Sequence, residues 1–352
     1  MPKTGPKQHD EPVTRRSGLR LVWAIAAIVV RSVTLGLVGV CAASPELIGL
    51  DWRFDIVASL IAQACFVGLL LCIWQAVFRR WIWCALFAVV TIAAFSWMAR
   101  VDRAPAAGAD TAGTVVSVLA MNVHSRNERV EEVFELIDRT DADIVVIVES
   151  SWAIIRALPE SAEVLERYPH RDGMDARSSG QIIVLSKHPM AHATDKNALP
   201  GLASSWGYRA GYIRLGGQIV RFGAVHAPSP RTRITWQYGQ QTFTRLAQHF
   251  ERLGPPMGSP EQPVIIAGDL NSPPTSLRSR KVTEELGLRR AKPLRVWSGT
   301  FPASLPWFAR SSIDGLFVSP GISVRSWETV KIPGSDHRGV LSSLVVAPRS
   351  DD

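Results

Sequence analysis

Three quarters of the way along, the chain reads Val264-Ile-Ile-Ala-Gly-Asp269-Leu-Asn271-Ser-Pro-Pro. The apolar, β-branched opening reads as a buried strand. It stops at a glycine and delivers Asp269 and Asn271, two residues apart, so extended backbone sets both on one side at the mouth of a sheet. A carboxylate beside a carboxamide suits a site that moves a proton and grips an oxyanion. Gly-Asp-x-Asn after a strand is also ordinary turn chemistry, so its company elsewhere must decide. Other strand ends carry comparable groups: Asn122, Glu149, His226, Asp314, and the loop Gly334-Ser335-Asp336-His337 before the last strand. Singly, each reads as a turn residue, a cap or a solvated side chain. Gathered at one place, these oxygen and imidazole groups suit a site for phosphate and a metal ion.

Elements that would bring them together follow from hydrophobic period. Val115–Met121 reads as a strand ending in Asn122, and Ile144–Val148 as a second, ending in Glu149-Ser150. Between them, Glu128–Arg139 has helical spacing, with Val130, Val133, Phe134 and Ile137 on one face. Gln181–Ser186 is a third strand. Gly211–Leu215 and Ile219–Val225 pair through a Gly216-Gly217 hairpin that delivers His226. A helix over Thr235–Leu253 leads to the Asp269 strand, and short strands at Ile313–Val318, Ser323–Thr329 and Val340–Val346 finish the chain. This pattern places residues 114–352 in one soluble α/β domain.

The first hundred residues differ in kind. Residues 1–20 form a basic tail with Lys3, Lys7, Arg15, Arg16 and Arg20. Leu21–Ala43, Ile56–Val77 and Trp81–Met98 are apolar runs near the roughly 20 residues that cross a bilayer core. They predict a three-span region over 21–99, with 100–113 as a flexible linker rich in Ala and Gly. The tail and Arg79-Arg80 are basic, whereas the loop between the first two runs holds Glu46, Asp51 and Asp55 against Arg53. The positive-inside rule then puts the N-terminus in the cytoplasm and the α/β domain outside, as a multi-pass protein of the inner membrane. A signal peptide and a buried hairpin of a soluble protein are the competing readings. Arg31, inside the first run, reads as an arginine tolerated against neighbouring helices.

All four cysteines, Cys41, Cys65, Cys72 and Cys84, lie in this apolar region, so the α/β domain has neither a disulfide framework nor a thiolate metal site. The net charge of +8 divides unevenly: residues 104–352 hold 28 Lys and Arg against 25 Asp and Glu, a net of only +3. That near balance disfavours a dedicated nucleic-acid surface. One basic run, Arg278, Arg280, Lys281, Arg289, Arg290, Lys292 and Arg295, reads either as a track for a phosphate backbone or as a solvated helix face.

Asn122, Glu149, His226, Gly268-Asp269-x-Asn271, Ile313-Asp314 and Ser335-Asp336-His337 together resemble the endonuclease/exonuclease/phosphatase superfamily, over about residues 114–347 and in the right order. Ser179–Pro189 is similar to the family's central strand, and Thr300-Phe301-Pro302 to its late substrate-side loop. The resemblance implies a DNase I-like, four-layer α/β/β/α sandwich (an α+β arrangement of α/β class) with the site at one edge of two packed sheets. It implies Mg2+, with Mn2+ as a substitute, held by Glu149 with Asp336 and Asn122. His226, Asp269, Asn271, Asp314 and His337 would be catalytic, and Asn122, Asn271, His226 and His337 would also contact substrate. In that scheme Asp269 activates water, and Asp314 orients His337. Two departures stand out: His124 occupies a position where some members carry an acid, and Ala-Pro-Ser-Pro follows His226. One metal ion is therefore the working expectation.

The strand-end set is shared by enzymes acting on DNA, lipids and small phosphate esters, so it names no substrate. Tethering at a membrane face, with Trp152, Trp206, Trp236, Trp297, Trp307 and Phe308 in the domain, favours a membrane-associated, lipid-linked phosphate ester. The rival readings are a surface-tethered nuclease and a catalytically silent scaffold.

Overall fold

A computed structural model describes residues 13–174, 181–192, 207–252 and 262–348. The start of the basic tail, Ser179-Gly180 and Trp206 lie outside the described residues. The α/β domain is built from two six-stranded sheets. The first contains β1 (Thr114–Asn122), β2 (Ile144–Ser150), β3 (His170–Asp172) and β4 (Gln181–Ser186), with two strands from the C-terminus. The second contains β5 (Met190–His192), β6 (Gly207–Leu215), β7 (Gln218–His226), β8 (Val264–Asp269), β9 (Arg289–Arg290) and β10 (Asp314–Val318). The chain then returns to the first sheet as β11 (Ile322–Lys331) and β12 (Arg338–Val346), giving the orders β11-β12-β1-β2-β4-β3 and β5-β6-β7-β8-β10-β9.

Side-chain alternation along each strand builds the layers. Val116, Val118, Ala120, Val146 and Val148 from one sheet meet Phe222, Ala224, Ile265, Ala267 and Leu316 from the other in a shared core. Their neighbours Leu119, Met121, Val145 and Ile147 face outward, against the helix Val130–Thr140 and two short helices, Trp152–Ala157 and Ala162–Arg167. On the far side Val225, Ile266 and Phe317 pack against Phe243, Leu246 and Phe250 of the helix Arg233–Arg252 and Val282 of the helix Leu277–Glu284. The result is the expected α/β/β/α sandwich. Each fully buried Val, Ile or Leu contributes about 1.5–3 kcal/mol of burial, so the period-two pattern fixes which face each strand presents. The Gly216-Gly217 turn has φ of 53° and 88°, the left-handed pair that a tight hairpin turn needs.

Ahead of the sandwich the helices are Val13–Leu47 (α1), Arg53–Ala58 (α2), Ile61–Val77 (α3) and Trp81–Arg100 (α4). Among the described residues, two segments, Val22–Leu47 and Trp81–Arg100, are long and apolar enough to cross a membrane; Ile61–Val77 is shorter. The expected second span from Ile56 is broken, because Ile56 belongs to α2 and the chain turns at Ser59-Leu60 before α3 begins. With 17 residues, α3 extends roughly 26 Å, at the short limit for a hydrocarbon core. A physical cause is visible at α2, where Asp55 is buried against the α/β domain and draws the helix start away from a straight span.

The linker expected to be flexible instead lies on the sandwich. Asp102 accepts from the Arg290 amide at 3.0 Å and Ala104 donates back to Arg290 at 2.9 Å, alongside β9. Three residues on, Pro105 accepts from Val324 and Ala107 donates to Val324, each at 2.8 Å, alongside β11.

Candidate active site

Parallel pairing of β1 with β2 and of β7 with β8 brings four strand ends to one edge: Asn122 lies opposite Val148, next to Glu149, and His226 lies opposite Asp269. Antiparallel β10 starts at the same edge with Asp314 opposite Asp269, and the loop entering β12 adds His337. Six of the expected residues therefore come from elements far apart in sequence yet meet at one end of the two sheets. Gly268, with φ of 140°, makes the bend before Asp269; a Cβ there would lie 2.0 Å from the Val225 carbonyl oxygen. Glu149 and Asn271 also have left-handed backbone, at φ of 51° and 48°. Strain of that kind is held in place only by the surrounding structure.

Asn122 is buried and its side-chain amide donates to Glu149 Oε1 and to Asp269 Oδ2, both at 2.9 Å. Its oxygen accepts from the His124 amide at 3.0 Å. Asn122 thus clamps two carboxylates through its amide nitrogen. Asn271 likewise points its amide nitrogen at Ala227 O (3.0 Å) and Asp269 Oδ2 (3.3 Å), while its backbone amide donates to Asp269 Oδ1 at 2.7 Å. It fixes the rotamer of Asp269 and ties that strand end to the turn after His226.

His337 Nδ1 sits 2.9 Å from Asp314 Oδ2 and 3.2 Å from Oδ1, with Asp269 Oδ2 at 4.0 Å. Burial opposes the imidazolium, but the charge and hydrogen bond of Asp314, then Asp269 and Asp336, raise the His337 pKa to about 10. Burial, then the like charge of Asp314, raises the Asp269 carboxyl to about 6, against the opposing pull of His337, His226 and Asn122. Glu149 shows the reverse balance. Burial pushes its carboxyl up, yet hydrogen bonds from His226 and Asn122 and the His226 and His337 charges hold it at about 2. His226 Nε2 lies 3.4 Å from Glu149 Oε1. The edge therefore pairs one firmly ionised carboxylate with another poised near neutrality.

Among the described residues, two overlapping groups have ligand atoms close enough for one ion: Glu149, His226 and Asp269, and Asp269, Asp314 and His337. The first fits a hard divalent cation best, because Glu149 is ionised and retains solvent access, with its side chain 24% exposed. In the second, Asp314 is already committed to an imidazole. Asp336 is exposed and lies outside both groups, although close enough to act on His337 through its charge.

Sequence reasoning named Ser335, Thr300 and Phe301 as parts of motifs but did not foresee the support they give. Ser335 Oγ donates to the Asn122 carbonyl at 2.6 Å and accepts from the His337 amide at 3.0 Å, stitching β1 to the histidine loop. Thr300 Oγ1 accepts from the Ile313 and Asp314 amides, each at 3.2 Å, and the Phe301 ring lies 4.7 Å from that of His337. Most of the basic run matches neither of its two readings, although Arg295 is exposed and Lys281 half-buried. Arg278, Arg290 and Lys292 are buried, and Arg280 and Arg289 turn to the Pro45 carbonyl and Asp102. Arg278 shares a buried stripe with Val282 and Leu286, the four-residue spacing that would have placed it inside.

Comparison with known proteins agrees with this geometry. The model of the "Endonuclease/Exonuclease/phosphatase family" matches residues 119–337. No curated protein matches the sequence. A functionally unknown conserved protein from Enterococcus faecalis V583 superposes with a TM-score of 0.51 at 16% identity, covering 65% of this chain and 99% of its own. Sphingomyelinase C from Streptomyces griseocarneus gives 0.48 at 18% identity, over 65% of this chain and 99% of that one. Humanized D. rerio TDP2 gives 0.47 at 17% identity, over 65% and 98%. Identities this low speak to the fold alone. The family match spans well over half of the chain and both ends of the strand-end cluster: the protein belongs to the endonuclease/exonuclease/phosphatase family and is a metal-dependent phosphoester hydrolase.

Proposed function

We propose that this chain is a membrane-anchored, Mg2+-dependent phosphoesterase that hydrolyses a lipid-linked phosphate ester on the extracytoplasmic side of the inner membrane. The observation that carries the membrane part is the course of the loop leaving the active site. Phe301, against His337, begins it; six residues on, Trp307 meets Phe66 of α3 edge-on at 6.3 Å, and Phe308 stacks on Phe66 at 5.0 Å. Phe66 lies about 8 Å below the start of α3, so the loop reaches the depth at which aromatic side chains favour a bilayer interface. Trp307 and Phe308 remain 52% and 40% exposed beside the apolar flank of α3. A lipid headgroup at that depth would lie beside the loop that starts against His337. Burial of Arg278, Arg290 and Lys292 removes the surface best suited to a nucleic-acid backbone and weighs against the nuclease reading.

The chemistry follows from the residues at the edge. Asp269, held by Asn122 and Asn271 and raised to about 6, takes up the proton of an attacking water. His337, charged and oriented by Asp314, donates to a phosphoryl oxygen as negative charge builds there. His226 stands across from it, beside Glu149, to donate to the leaving oxygen. A divalent cation held by Glu149 would supply the remaining positive charge on the phosphoryl group.

The test uses the full-length protein in mixed micelles with Mg2+, offered a polyprenyl pyrophosphate, a phospholipid, bis-p-nitrophenyl phosphate, p-nitrophenyl phosphate and DNA. Lipid turnover that EDTA stops and Asp269→Asn abolishes is the expected result. Rapid DNA nicking without lipid turnover would make it a tethered nuclease, and silence on every ester would return the scaffold. A reporter fused after residue 352 should be active only outside the cytoplasm; a cytoplasmic signal refutes the topology.

A further inference from the structure

We infer that Asp55, in the connection between the first two apolar helices, is a positioning residue for the hydrolytic site: it anchors and charge-balances Arg278, whose guanidinium holds the loops carrying His226 and Asp269–Asn271. The inference rests on the proposed reading of that site.

Asp55 is 5% exposed and both carboxylate oxygens reach into the α/β domain. Oδ2 accepts from the Trp236 indole N–H at 2.8 Å, and Oδ1 from the Leu277 amide at 2.7 Å. Leu277 opens the helix after the Asn271 loop, so the carboxylate fixes where that helix starts. The next residue, Arg278, is fully buried. Its Nη1 donates to Leu270 O at 2.6 Å, to Pro228 O at 3.0 Å and to Asn271 O at 3.4 Å. Pro228 is two residues beyond His226, and Leu270 lies between Asp269 and Asn271. One guanidinium therefore bridges the two loops that follow the central parallel strands of the second sheet.

That guanidinium is poorly satisfied by hydrogen bonds alone, since its Nε and Nη2 have no partner. Burial lowers its pKa to about 10, and the groups that oppose this are the charges of Asp55 and Asp269, in that order. A buried cation stays charged and in place only where a counter-charge supports it. Gly239 of the long helix makes room: a Cβ there would stand 1.8 Å from Arg278 Nη2. Neighbouring contacts between the helical region and the domain, such as Thr275 Oγ1 to Ala58 O at 2.8 Å, serve docking but touch neither the carboxylate nor the guanidinium.

The experiment compares full-length wild type with D55N, R278M, D55N/R278M and T275A in mixed micelles, using bis-p-nitrophenyl phosphate and Mg2+. D55N keeps the shape, removes the charge and turns one of the two accepting oxygens into a donor. Its kcat should fall about 10- to 100-fold with KM within about threefold, the signature of displaced catalytic groups. The double variant should be no slower than R278M, because both lesions act through one group, and T275A should match wild type. A wild-type rate in D55N, multiplicative losses in the double variant, or an equal loss in T275A would each overturn the inference. Amide hydrogen exchange over residues 226–230 and 269–277 reads the same device without turnover. Faster exchange in D55N supports it, and unchanged exchange overturns it. An inactive wild type whose exchange still responds to D55N would sink the hydrolase reading while leaving the anchor standing.

Discussion

Asp314→Asn tests how the site holds its charge. The carboxylate lies 2.9 Å and 3.2 Å from His337 Nδ1, both residues are buried, and the ring's pKa stands at about 10. An ion pair at 3 Å in an effective dielectric of roughly 20 is worth about 5 kcal/mol, which is nearly 4 pKa units. Its loss, with burial still opposing the imidazolium, brings His337 down to about 6. At pH 6 about half of the molecules would keep the charged ring, and at pH 8 about one in a hundred. The expected deficit in kcat/KM is thus about twofold at pH 6 and about 100-fold at pH 8, on top of any uniform loss from a freed ring. The assay is kcat/KM on bis-p-nitrophenyl phosphate with Mg2+ from pH 6 to 8, with circular dichroism confirming the fold. A deficit of the same size at every pH refutes the electrostatic argument, and an unchanged rate refutes the dyad.

Three further outcomes are expected. Gly268→Ala drives a Cβ against the Val225 carbonyl, so it should lower the unfolding midpoint by several degrees and abolish turnover together; an active, wild-type-stable variant would refute the tight approach of β7 and β8. Lys292 is buried and donates to Ser298 O and Ser312 Oγ, and burial, then Arg290 and Arg103, lowers its pKa to about 7. The unfolded chain therefore holds the extra proton between about 7 and 10.5, and stability should rise with pH across that window, by at most about 1.4 kcal/mol per unit. Lys292→Met should flatten this rise in denaturant titrations at pH 7 and 9.5, whereas a parallel pH response in both proteins would contradict it. Trp307→Ser with Phe308→Ser should cut turnover of a vesicle-borne lipid ester about tenfold or more while sparing soluble bis-p-nitrophenyl phosphate, if each exposed ring contributes about 1–2 kcal/mol at the interface. Equal losses on both substrates would mean that the loop serves only the site.

Much of the site was legible because its residues end strands whose apolar runs are short and unbroken. Val264–Ala267 and Ile144–Val148 can hardly be anything but buried strands, so Asp269 and Glu149 had to emerge at sheet edges. The limits of legibility have causes too. Asn122 and Asn271 were recognisable as site residues, but which way an amide turns depends on partners distant in sequence, here Glu149 and Ala227. Arg278 read as surface charge because a buried arginine is rare, and its partners come from two loops far apart in sequence. The second apolar run looked continuous from Ile56 because hydropathy does not register that the adjacent Asp55 is pulled out to meet Trp236 and Leu277. The linker looked loose because Ala and Gly are permissive, whereas its order comes from backbone bonds to Arg290 and Val324, which composition cannot foretell.

On the proposed membrane-anchored reading, those backbone bonds would set how the enzyme searches for substrate. A catalytic head on a free ten-residue leash would sweep a hemisphere of solution and could sample soluble esters as readily as lipids. Here residues 102–107 are laid along both sheets, one bond pair to each, which shortens the free chain between α4 and the head. With that helix in a bilayer, search becomes two-dimensional. Encounter is then governed by lateral diffusion and by the mole fraction of substrate in the leaflet, and diluting vesicles at constant composition should leave the rate per enzyme unchanged.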